Sequence, residues 1–504
     1  MDMSSDALSP DARAIARLPY AFAKRHGVIS ARQLERGFEL WARPGVRASV
    51  LAEVQRALGG PVSVRELTGP AFDSALARAY ERGTSQAAQI VTDLDASLDL
   101  AALAQSLPKV ADLLESEDDA PIVRLINALF SQAVRDNASD IHVEAFDQRS
   151  VVRFRRDGML RDVLEPPQAA HAALVSRIKI MASLDIAEKR QPQDGRIALR
   201  LAGRPVDVRV SILPTAHGER VVLRLLDKQA GRLDLAGLGM PEPTLASVRE
   251  LVRQPHGIIL VTGPTGSGKT TTLYAALGQL DSKHTNIVTV EDPIEYDLDG
   301  IGQTQVNPRI DLSFARALRA ILRQDPDVVM IGEIRDLETA QIAVQASLTG
   351  HLVLATLHTN DAVGAVTRLV DMGVEPFLVA SSLRGVLAQR LVRRLCTACR
   401  RGHAPDAAEL RLIRNGNGAA AAPLLYTADG CEACAHTGYQ GRTGIFELFL
   451  VDDAARRLIH DRASEAELSA YAKKIGMRNL REDGLRWVRS GETSLEEVLR
   501  VSRE

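Results

Sequence analysis

The sequence predicts an α/β protein whose largest domain contains a mostly parallel sheet covered by helices on both faces. From about Met240 onward, short apolar runs alternate with helical patterns, and in chain order the runs read GIILVTG, NIVTVED, DVVMIGE and HLVLATLH. Continuous apolar runs are typical of strands buried on both faces, and their alternation with helices is typical of parallel sheets. Because 504 residues exceed what one hydrophobic core normally serves, we expect about two to four domains.

Changes of pattern divide the chain upstream of this sheet. Residues 1–80 predict a small, mostly helical module, because apolar residues such as Leu34, Phe38 and Trp41 recur at helical spacing. Residues 81–119 are rich in Ser, Asp, Ala and Gln and close with an acidic run, so we interpret them as a linker. Residues 120–235 begin with an apolar helix pattern, continue with alternating strand patterns, and predict an α+β domain.

The predicted parallel-sheet domain spans residues 236–504 and contains two further segments. A cysteine-bearing insert is expected at 394–437, and a helical region at 450–504.

Composition favours an ordinary globular protein and gives no broad footprint for nucleic acid. Hydrophobic residues make up 45% and charged residues 25%, with 62 Lys plus Arg against 64 Asp plus Glu. The N-terminus lacks the pattern of a signal peptide, and no stretch approaches about 18 uninterrupted apolar residues. All four cysteines lie between Cys396 and Cys434, which is not how a secreted domain is cross-linked. We therefore expect a cytoplasmic protein.

A glycine-rich loop between a strand pattern and a helix pattern predicts a phosphate site. It matches the full P-loop pattern, and the residues assigned to nucleotide binding are Gly263, Pro264, Thr265, Gly266, Ser267, Gly268, Lys269, Thr270 and Thr271. Backbone N–H groups and the helix dipole would bind phosphate oxygens, Lys269 would reach the β- and γ-phosphates, and the Thr270 hydroxyl would ligate Mg²⁺. A plain glycine turn is the alternative.

Acidic residues follow two of the apolar strands, at the edge where ligands bind in α/β sheets. Glu333 follows Val328–Ile331 and would hold Mg²⁺ or polarise the attacking water; the residues alone leave both roles open. Glu295 ends an acidic segment after the strand at 288–290, where a solvated turn is the alternative. His358 follows the strand Leu352–Leu357, and by residue type it is more often a structural hydrogen-bonding group than a functional one.

Together these motifs resemble the secretion ATPases, the hexameric motors of type II secretion and type IV pili. The resembling segments are TVEDPIE at 289–295, RQDPDVVMIGEIRD at 323–336, GHLVLATLHTND at 350–361, the stretches 112–144 and 209–226, and RLPYAFAKRHGVI at 17–29. The last segment is similar to the first N-terminal domain of the type II member, the GspE protein. The resemblance implies a RecA-like P-loop motor domain preceded by a PAS-like α+β domain.

The resemblance also assigns roles to single residues. It implies that Glu295 is the general base, that Glu333 lies near Mg²⁺ and that His358 senses or positions the γ-phosphate. It directs Arg209 and Arg224 at the nucleotide, although arginines that alternate along a strand are more often a solvated face. Arginines of less certain role at the ring interface and catalytic region are Arg319, Arg323, Arg335 and Arg368.

Two C-x₂-C pairs predict a structural zinc site. The four ligands would be Cys396, Cys399, Cys431 and Cys434. A redox pair is the alternative, but such a pair normally occurs singly, near the start of a thioredoxin-like unit. The insert has a basic flank, which faces anionic lipid, an acidic partner or only solvent; its residues are Arg390, Arg393, Arg394, Arg400 and Arg401.

The resemblance implies a cytoplasmic hexameric ATPase that is attached peripherally to the inner membrane and powers pseudopilus assembly for type II secretion. It implies ATP, Mg²⁺ and Zn²⁺ as cofactors. The implied partners are the cytoplasmic domain of the inner-membrane L protein, on which the N-terminal module would dock unless it is a purely structural cap, and the platform F protein. Three alternatives remain: a type IV pilus extension motor, a nucleic-acid motor, and a regulatory module that binds ATP without hydrolysing it.

Overall fold

The computed structural model describes most of the chain. The described residues are 11, 14, 17–18, 22–23, 26–34, 37–69, 71–72, 75, 120–201, 204–227, 234–413 and 423–502. They divide into two compact units, the first within 1–154 and 162–225 and the second within 155–161 and 226–504. None of the helices in the described part of the chain combines the length and the apolar character that a membrane span requires.

Among its described residues, the N-terminal module contains a three-stranded sheet, the helix Ala48–Leu58 and further helical positions, including 14, 22–23 and 71–72. The elements are β1 (Val28–Leu34), β2 (Gly37–Ala42), α1 (Ala48–Leu58) and β3 (Val62–Glu66). Strand β2 is central, antiparallel to β1 and parallel to β3. The predicted linker at 81–119 lies outside the described residues, and the predicted domain boundaries stay predictions.

The helical spacing predicted for Leu34, Phe38 and Trp41 is wrong, because these three residues lie in strands. Leu34 ends β1, whereas Phe38 and Trp41 belong to β2. Within β2, Phe38 and Leu40 pack in one apolar cluster and Trp41 packs in another, so this strand is covered on both faces. In so short a segment, apolar residues at spacings of three and four fit either a helix or two strands joined by a turn.

The α+β domain is a six-stranded sheet covered by two helices. Its elements are α2 (Ala120–Arg135), β4 (Ala138–Ala145), β5 (Ser150–Arg156), β6 (Met159–Leu164), α3 (Gln168–Met181), β7 (Gln193–Leu201), β8 (Arg204–Thr215) and β9 (Gly218–Asp227). The strand order is β6-β5-β4-β9-β8-β7. One apolar cluster contains Leu125 and Phe130 of α2, Leu174 of α3 and Val208 of β8, so a single core joins both helices to the sheet.

The RecA-like motor domain is built on a seven-stranded sheet. Its elements are α4 (Glu242–Val252), β10 (Gly257–Thr262), α5 (Lys269–Leu277), β11 (Ile287–Glu291), β12 (Gly302–Gln305), α6 (Phe314–Ile321), β13 (Val328–Ile331), α7 (Leu337–Leu348), β14 (Leu352–Leu357), α8 (Ala362–Asp371), α9 (Pro376–Ser382) and β15 (Leu383–Leu395). The seventh strand comes later in the chain, and the strand order is β12-β11-β13-β14-β10-β15 followed by that strand.

The sheet is parallel except at one edge, as the sequence predicts. Strand β10 is central and parallel to both β14 and β15. Ile258 and Leu260 of this strand pack in one apolar cluster, whereas Ile259 and Val261 pack in another. Because alternate residues of a strand point to opposite faces, both faces of the sheet are covered. Because these strands run parallel, their carboxyl ends meet at one edge of the sheet.

An insert and four terminal helices complete the described part of the domain. The insert contains β16 (Arg401–His403), α10 (Ala407–Ile413) and β17 (Leu425–Thr427), and the chain returns through β18 (Tyr439–Leu450), which pairs antiparallel with β15. The remaining helices are α11 (Asp453–His460), α12 (Glu465–Lys474), α13 (Leu480–Arg489) and α14 (Leu495–Val501).

Candidate active site

The register of the central strands brings three functional segments to one level of the sheet. Thr262 at the end of β10 pairs with Leu357 of β14 on one side and with Ala388 of β15 on the other. The next residue in each segment is Gly263 after Thr262, His358 after Leu357 and Gln389 after Ala388. All three residues therefore lie at the carboxyl edge.

The glycines of the phosphate loop have backbone conformations that favour glycine, and one of them, Gly263, is also closely surrounded. Gly263 and Gly268 have φ angles of 145° and 88°, in the left-handed region that glycine adopts without strain. A Cβ atom on Gly263 would lie 2.5 Å from the carbonyl oxygen of Gln389 and 2.7 Å from Ser267 Oγ. The loop therefore curls tightly between β10 and α5, which begins at Lys269.

Gln389 anchors this loop from the neighbouring strand, although the sequence gives no sign of it. Its side chain is buried, with Nε2 donating to the carbonyl oxygen of Ser267 at 2.7 Å and Oε1 accepting from Thr272 Oγ1 at 2.7 Å. Both polar groups of the amide are thus used, one on the loop and one on α5. No local motif marks Gln389, because its role follows only from the pairing of β15 with β10.

Lys269 bends back over the loop. Its Nζ donates to the carbonyl oxygens of Gly263 at 2.8 Å and Pro264 at 3.2 Å, and it lies 3.5 Å from His358 Nδ1. Burial lowers the pKa of Lys269 to about 8, against an opposing effect of Glu333 and with a further lowering by the positive charge of Arg390. The Lys269 ammonium therefore lies between the carbonyl oxygens of Gly263 and Pro264 on one side and the ring of His358 on the other.

Glu333 and His358 meet in front of the loop, beyond the carboxyl ends of the neighbouring strands β13 and β14. Glu333 is the second residue after β13, and its Oε2 lies 3.3 Å from Nε2 of His358. The other carboxylate oxygen forms an ion pair with Arg335, whose second terminal nitrogen lies 3.9 Å from Asp292 Oδ2. Lys269, His358 and Glu333 thus form one continuous polar chain.

The segment after His358 is fixed at both ends. The hydroxyl oxygens of Thr359 and Thr262 are 2.7 Å apart, and the guanidinium of Arg390 donates to Asn360 Oδ1 at 2.9 Å. Asp361 caps the next helix, α8, by accepting from the N–H of Gly364 at 2.7 Å. Arg390, predicted as part of the basic flank, therefore lies beside the segment that carries His358 instead.

Glu295 lies in the loop after β11, four residues beyond the end of that strand. Because β11 is parallel to β13 and pairs Val290 with Ile331, this loop emerges at the same edge as Glu333. The side chain of Glu295 is half-buried, and its backbone N–H donates to the hydroxyl of Tyr274 at 3.4 Å.

The predicted arginines fall in both units. Arg209 lies in β8 opposite Arg196, and Arg224 Nε lies 2.9 Å from Asp140 Oδ1; both belong to the first unit, whereas the phosphate loop belongs to the second. Their approach to a nucleotide therefore stays a prediction. In the second unit, Arg319 forms an ion pair with Glu338 at 2.6 Å. Besides Arg335, which pairs with Glu333, the predicted arginines there are Arg323 beyond α6 and Arg368 in the last turn of α8.

The four cysteines converge on one point. Their sulfur atoms all lie within 4.8 Å of one another, and the sulfur separations Cys396–Cys431 and Cys399–Cys434 are 3.9 and 3.8 Å. A tetrahedron with Zn–S bonds of about 2.3 Å has edges of about 3.8 Å. Backbone N–H groups of Gly430 and Gly438 point at sulfur atoms from 3.3 and 3.1 Å, as expected around thiolates. The donor set therefore fits a structural Zn²⁺ with no open position.

The remaining flank arginines make contacts within the chain. Arg393 forms a largely buried ion pair with Glu497 at 2.7 Å. The others pair Arg394 with Glu492, Arg401 with Asp429, and Arg400 with the carbonyl oxygen of Gly491. The contacts of Arg393, Arg394 and Arg400 join the start of the insert to α14 and to the turn before it.

Comparison with known proteins agrees with this geometry. Residues 115–500 match the model of a family described as "Type II/IV secretion system protein", and residues 17–80 match the model of an N-terminal domain of "GSPII protein E". The "Type II secretion system protein E" of Pseudomonas aeruginosa is 61% identical over 488 residues, which cover 97% of this chain and 96% of the relative. The chain belongs to the GspE family of secretion ATPases.

Further relatives of this GspE family member support the fold and the enzyme class. The "Type II secretion system ATPase E" of Vibrio cholerae is 56% identical over 506 residues and is covered completely, as is this chain. The crystal structure of the pilus retraction motor PilT with bound ADP is 28% identical, covers 75% of this chain and 96% of PilT, and superposes with a TM-score of 0.52. The expected secretion ATPase fold is thereby confirmed.

Proposed function

We propose that this protein hydrolyses Mg·ATP in a hexameric ring and uses the energy to assemble the pseudopilus of a type II secretion system. The observation that carries the proposal is the continuous chain from Lys269 through His358 to Glu333 in front of an intact phosphate loop. Such a chain places a phosphate-binding cation, a histidine and a carboxylate around one position, which is where a terminal phosphate would lie.

The phosphate loop binds the nucleotide. Its carbonyl oxygens hold the Lys269 ammonium until the β- and γ-phosphates replace them as partners, and the N-terminus of α5 adds positive potential. Thr270 and Glu333 are the residues suited to hold Mg²⁺, which supplies charge neutralisation of the phosphates when it is bound. His358, already within reach of both Lys269 and Glu333, then responds to the γ-phosphate.

Glu295 is the proposed general base. Glu333 lies against His358 and forms an ion pair with Arg335, which favours a role beside the metal and in binding. Glu295 lies on a separate loop at the same edge, so it can approach the attacking water from another side. In-line attack requires the water to stand opposite the leaving group, and the carboxylate that orients it must reach it there.

Completion of the site couples hydrolysis to movement. Arg209 and Arg224, which belong to the first unit, would on closure offset the charge of the transferred phosphoryl group. Closure in successive subunits of a ring would deliver a stroke to the platform F protein. The N-terminal module would dock on the cytoplasmic domain of the L protein, which holds the ATPase in the cytoplasm at the inner membrane.

Three observations bear on the choice between the alternative machines and partners. The match of residues 17–80 to a domain of GSPII protein E favours type II secretion over type IV pilus extension.

Acidic phospholipid would bind through the basic flank, but Arg393, Arg394 and Arg401 already pair with carboxylates of the chain. These ion pairs favour a structural role for the flank. The near-neutral charge balance disfavours a nucleic-acid motor.

Phosphate release by the full-length oligomer tests this function. Rates are measured with and without the cytoplasmic domain of the L protein for the wild type, Glu295→Gln and Glu333→Gln. Glu375→Gln is the matched control, since Glu375 is exposed and pairs weakly with Arg462 at 3.4 Å. We expect Glu295→Gln and Glu333→Gln to lose hydrolysis, and Glu375→Gln to keep the wild-type rate. Equal rates in all four proteins would refute the proposal.

A further inference from the structure

A largely buried polar cluster connects the phosphate-binding helix to the acidic segment. We call it the Glu291 cluster, and its members are Tyr274 of α5, Thr289 and Glu291 of β11, and Gln303 of β12. The Glu291 carboxylate is 2% exposed and accepts three hydrogen bonds: from the Tyr274 hydroxyl, from Thr289 Oγ1 at 2.6 Å and from Gln303 Nε2 at 3.1 Å. Because both carboxylate oxygens are occupied, Glu291 serves as an internal acceptor, not as a base for water.

The Tyr274 hydroxyl has a second connection, toward Glu295. It donates its proton to Glu291, and it accepts from the backbone N–H of Glu295 at 3.4 Å and from Gln303 Nε2 at 3.3 Å. The rings of Tyr274 and Tyr296 pack edge to face, with centroids 4.6 Å apart. One side chain of α5 thus contacts two successive residues of the loop that carries the proposed base.

Gln303 holds the rest of that loop. Its Nε2 also donates to the carbonyl oxygen of Tyr296 at 3.2 Å, and its Oε1 accepts from the N–H of Leu298 at 2.7 Å. The loop at 294–298 is therefore attached to the side chains of Tyr274 and Gln303 at three backbone groups. Of these three attachments, the one through Tyr274 leads to the helix that begins with Lys269.

We propose that Tyr274 is a positioning residue for ATP hydrolysis: its hydroxyl fixes the backbone at Glu295 relative to α5, and so relative to the bound phosphates. The inference rests on the proposed role of Glu295 as general base. Lys269 and Tyr274 lie on the same helix, so one rigid element fixes the positions of both the bound phosphates and the base. A displacement of about 1 Å at a reacting group can cost about 10²-fold in rate.

The protonation state of Tyr274 suits this role. Burial and the adjoining Glu291 carboxylate raise the pKa of Tyr274 far above its usual range. The hydroxyl therefore keeps its proton across the range in which an ATPase works, and the donor to Glu291 is constant. The hydroxyl oxygen stays available to the N–H of Glu295 at the same time.

Tyr274→Phe tests the inference in the full-length oligomer, because it removes one oxygen and keeps the ring that packs on Tyr296. We expect kcat for phosphate release to fall by about tenfold or more, while the KM for ATP changes by less than about twofold. This pattern separates a misplaced base from a damaged phosphate loop, which would raise KM.

Thr289→Val is the matched control, since it removes a different donor from the same buried carboxylate and leaves the Glu295 contact in place. Both variants should lose thermal stability, because each deprives Glu291 of one hydrogen bond. Thr289→Val should keep kcat within about twofold of the wild type. A similar loss of kcat in both variants would show that Tyr274 acts only through stability and would overturn the inference.

A double-mutant cycle with Glu295→Gln identifies the group through which Tyr274 acts. If Tyr274 positions Glu295, adding Tyr274→Phe to Glu295→Gln should cause no further loss of kcat. Equal fold-losses in both backgrounds, or wild-type kcat in Tyr274→Phe, would overturn the positioning role alone. Wild-type kcat in Glu295→Gln would instead remove the base assignment of the proposed function, and the inference with it.

Discussion

The side-chain amide of Gln389 donates to the carbonyl oxygen of Ser267 from 2.7 Å, although 122 residues separate them along the chain. The phosphate loop is therefore shaped from two directions, by its own glycines and by a strand that joins the sheet much later. Since β15 ends at Leu395, directly before the first zinc ligand, the same strand also carries the insert.

Gln389→Glu should weaken nucleotide binding. The new carboxylate would still accept from Thr272, but it would place an acceptor against the Ser267 carbonyl where a donor now lies. Loss of a buried hydrogen bond costs about 1–3 kcal/mol, so we expect the Kd for a non-hydrolysable ATP analogue to rise by roughly 5- to 150-fold. Calorimetric titration measures this, with Gln345→Glu on the exposed side of α7 as the control. An unchanged Kd would show that the loop keeps its shape without the anchor.

Two alanine substitutions in the phosphate loop should differ sharply. Gly263→Ala places a Cβ atom 2.5 Å from a backbone oxygen, so the loop must move and we expect nucleotide binding to be lost. Gly266→Ala meets no atom within 4 Å, and only its φ of 80° causes strain, about 1–2 kcal/mol. The same analogue titration compares the two. Equal defects would mean that backbone strain, rather than crowding by Gln389, limits the loop.

Nucleotide affinity should fall as the pH rises through about 8. The pKa of Lys269 in the free protein is lowered to about 8, chiefly by burial, whereas bound phosphates require the ammonium form. Above pH 8, binding must therefore take up a proton, and the Kd should rise by about tenfold between pH 7 and 9. Proton uptake measured by calorimetry in two buffers checks the sign. In Lys269→Arg, where the charge is permanent, the weaker binding should be independent of pH over this range.

Removal of zinc should disorder the insert and leave the nucleotide site folded. The insert has little core of its own, and its two-stranded sheet of Arg401–His403 and Leu425–Thr427 is short. We expect one zinc per chain, and after chelation faster hydrogen exchange in these strands with unchanged exchange in β10. Re-addition of zinc should restore protection. Exchange that is the same with and without metal would argue against a structural zinc site.

The parts of the molecule that follow from local sequence could be predicted. Strands β13 and β14 coincide with the apolar runs Val328–Ile331 and Leu352–Leu357, because strands buried on both faces need continuous apolar residues. The phosphate loop and the four cysteines carry their chemistry in short motifs. Glu333 and His358 lie together because they follow neighbouring parallel strands.

The contacts that depend on distant pairing could not be predicted. Gln389 has no motif, and its function arises from the register of β15 against β10. Tyr274 resembles an ordinary core residue in the helix pattern, and only the structure shows its hydroxyl against Glu291. The strands of the N-terminal module escape prediction because Leu34, Phe38 and Trp41 satisfy a helical spacing while lying on two strands.

The insert enters and leaves the sheet at a single pair of residues. Leu395 of β15 and Tyr439 of β18 are register partners, and the zinc-binding residues all lie between them in the chain. Since the two ends already face each other across one ladder rung, a tight turn could replace the module without shifting either strand. Evolution can thus exchange this module at one point in the gene while the hydrolytic machinery is inherited intact.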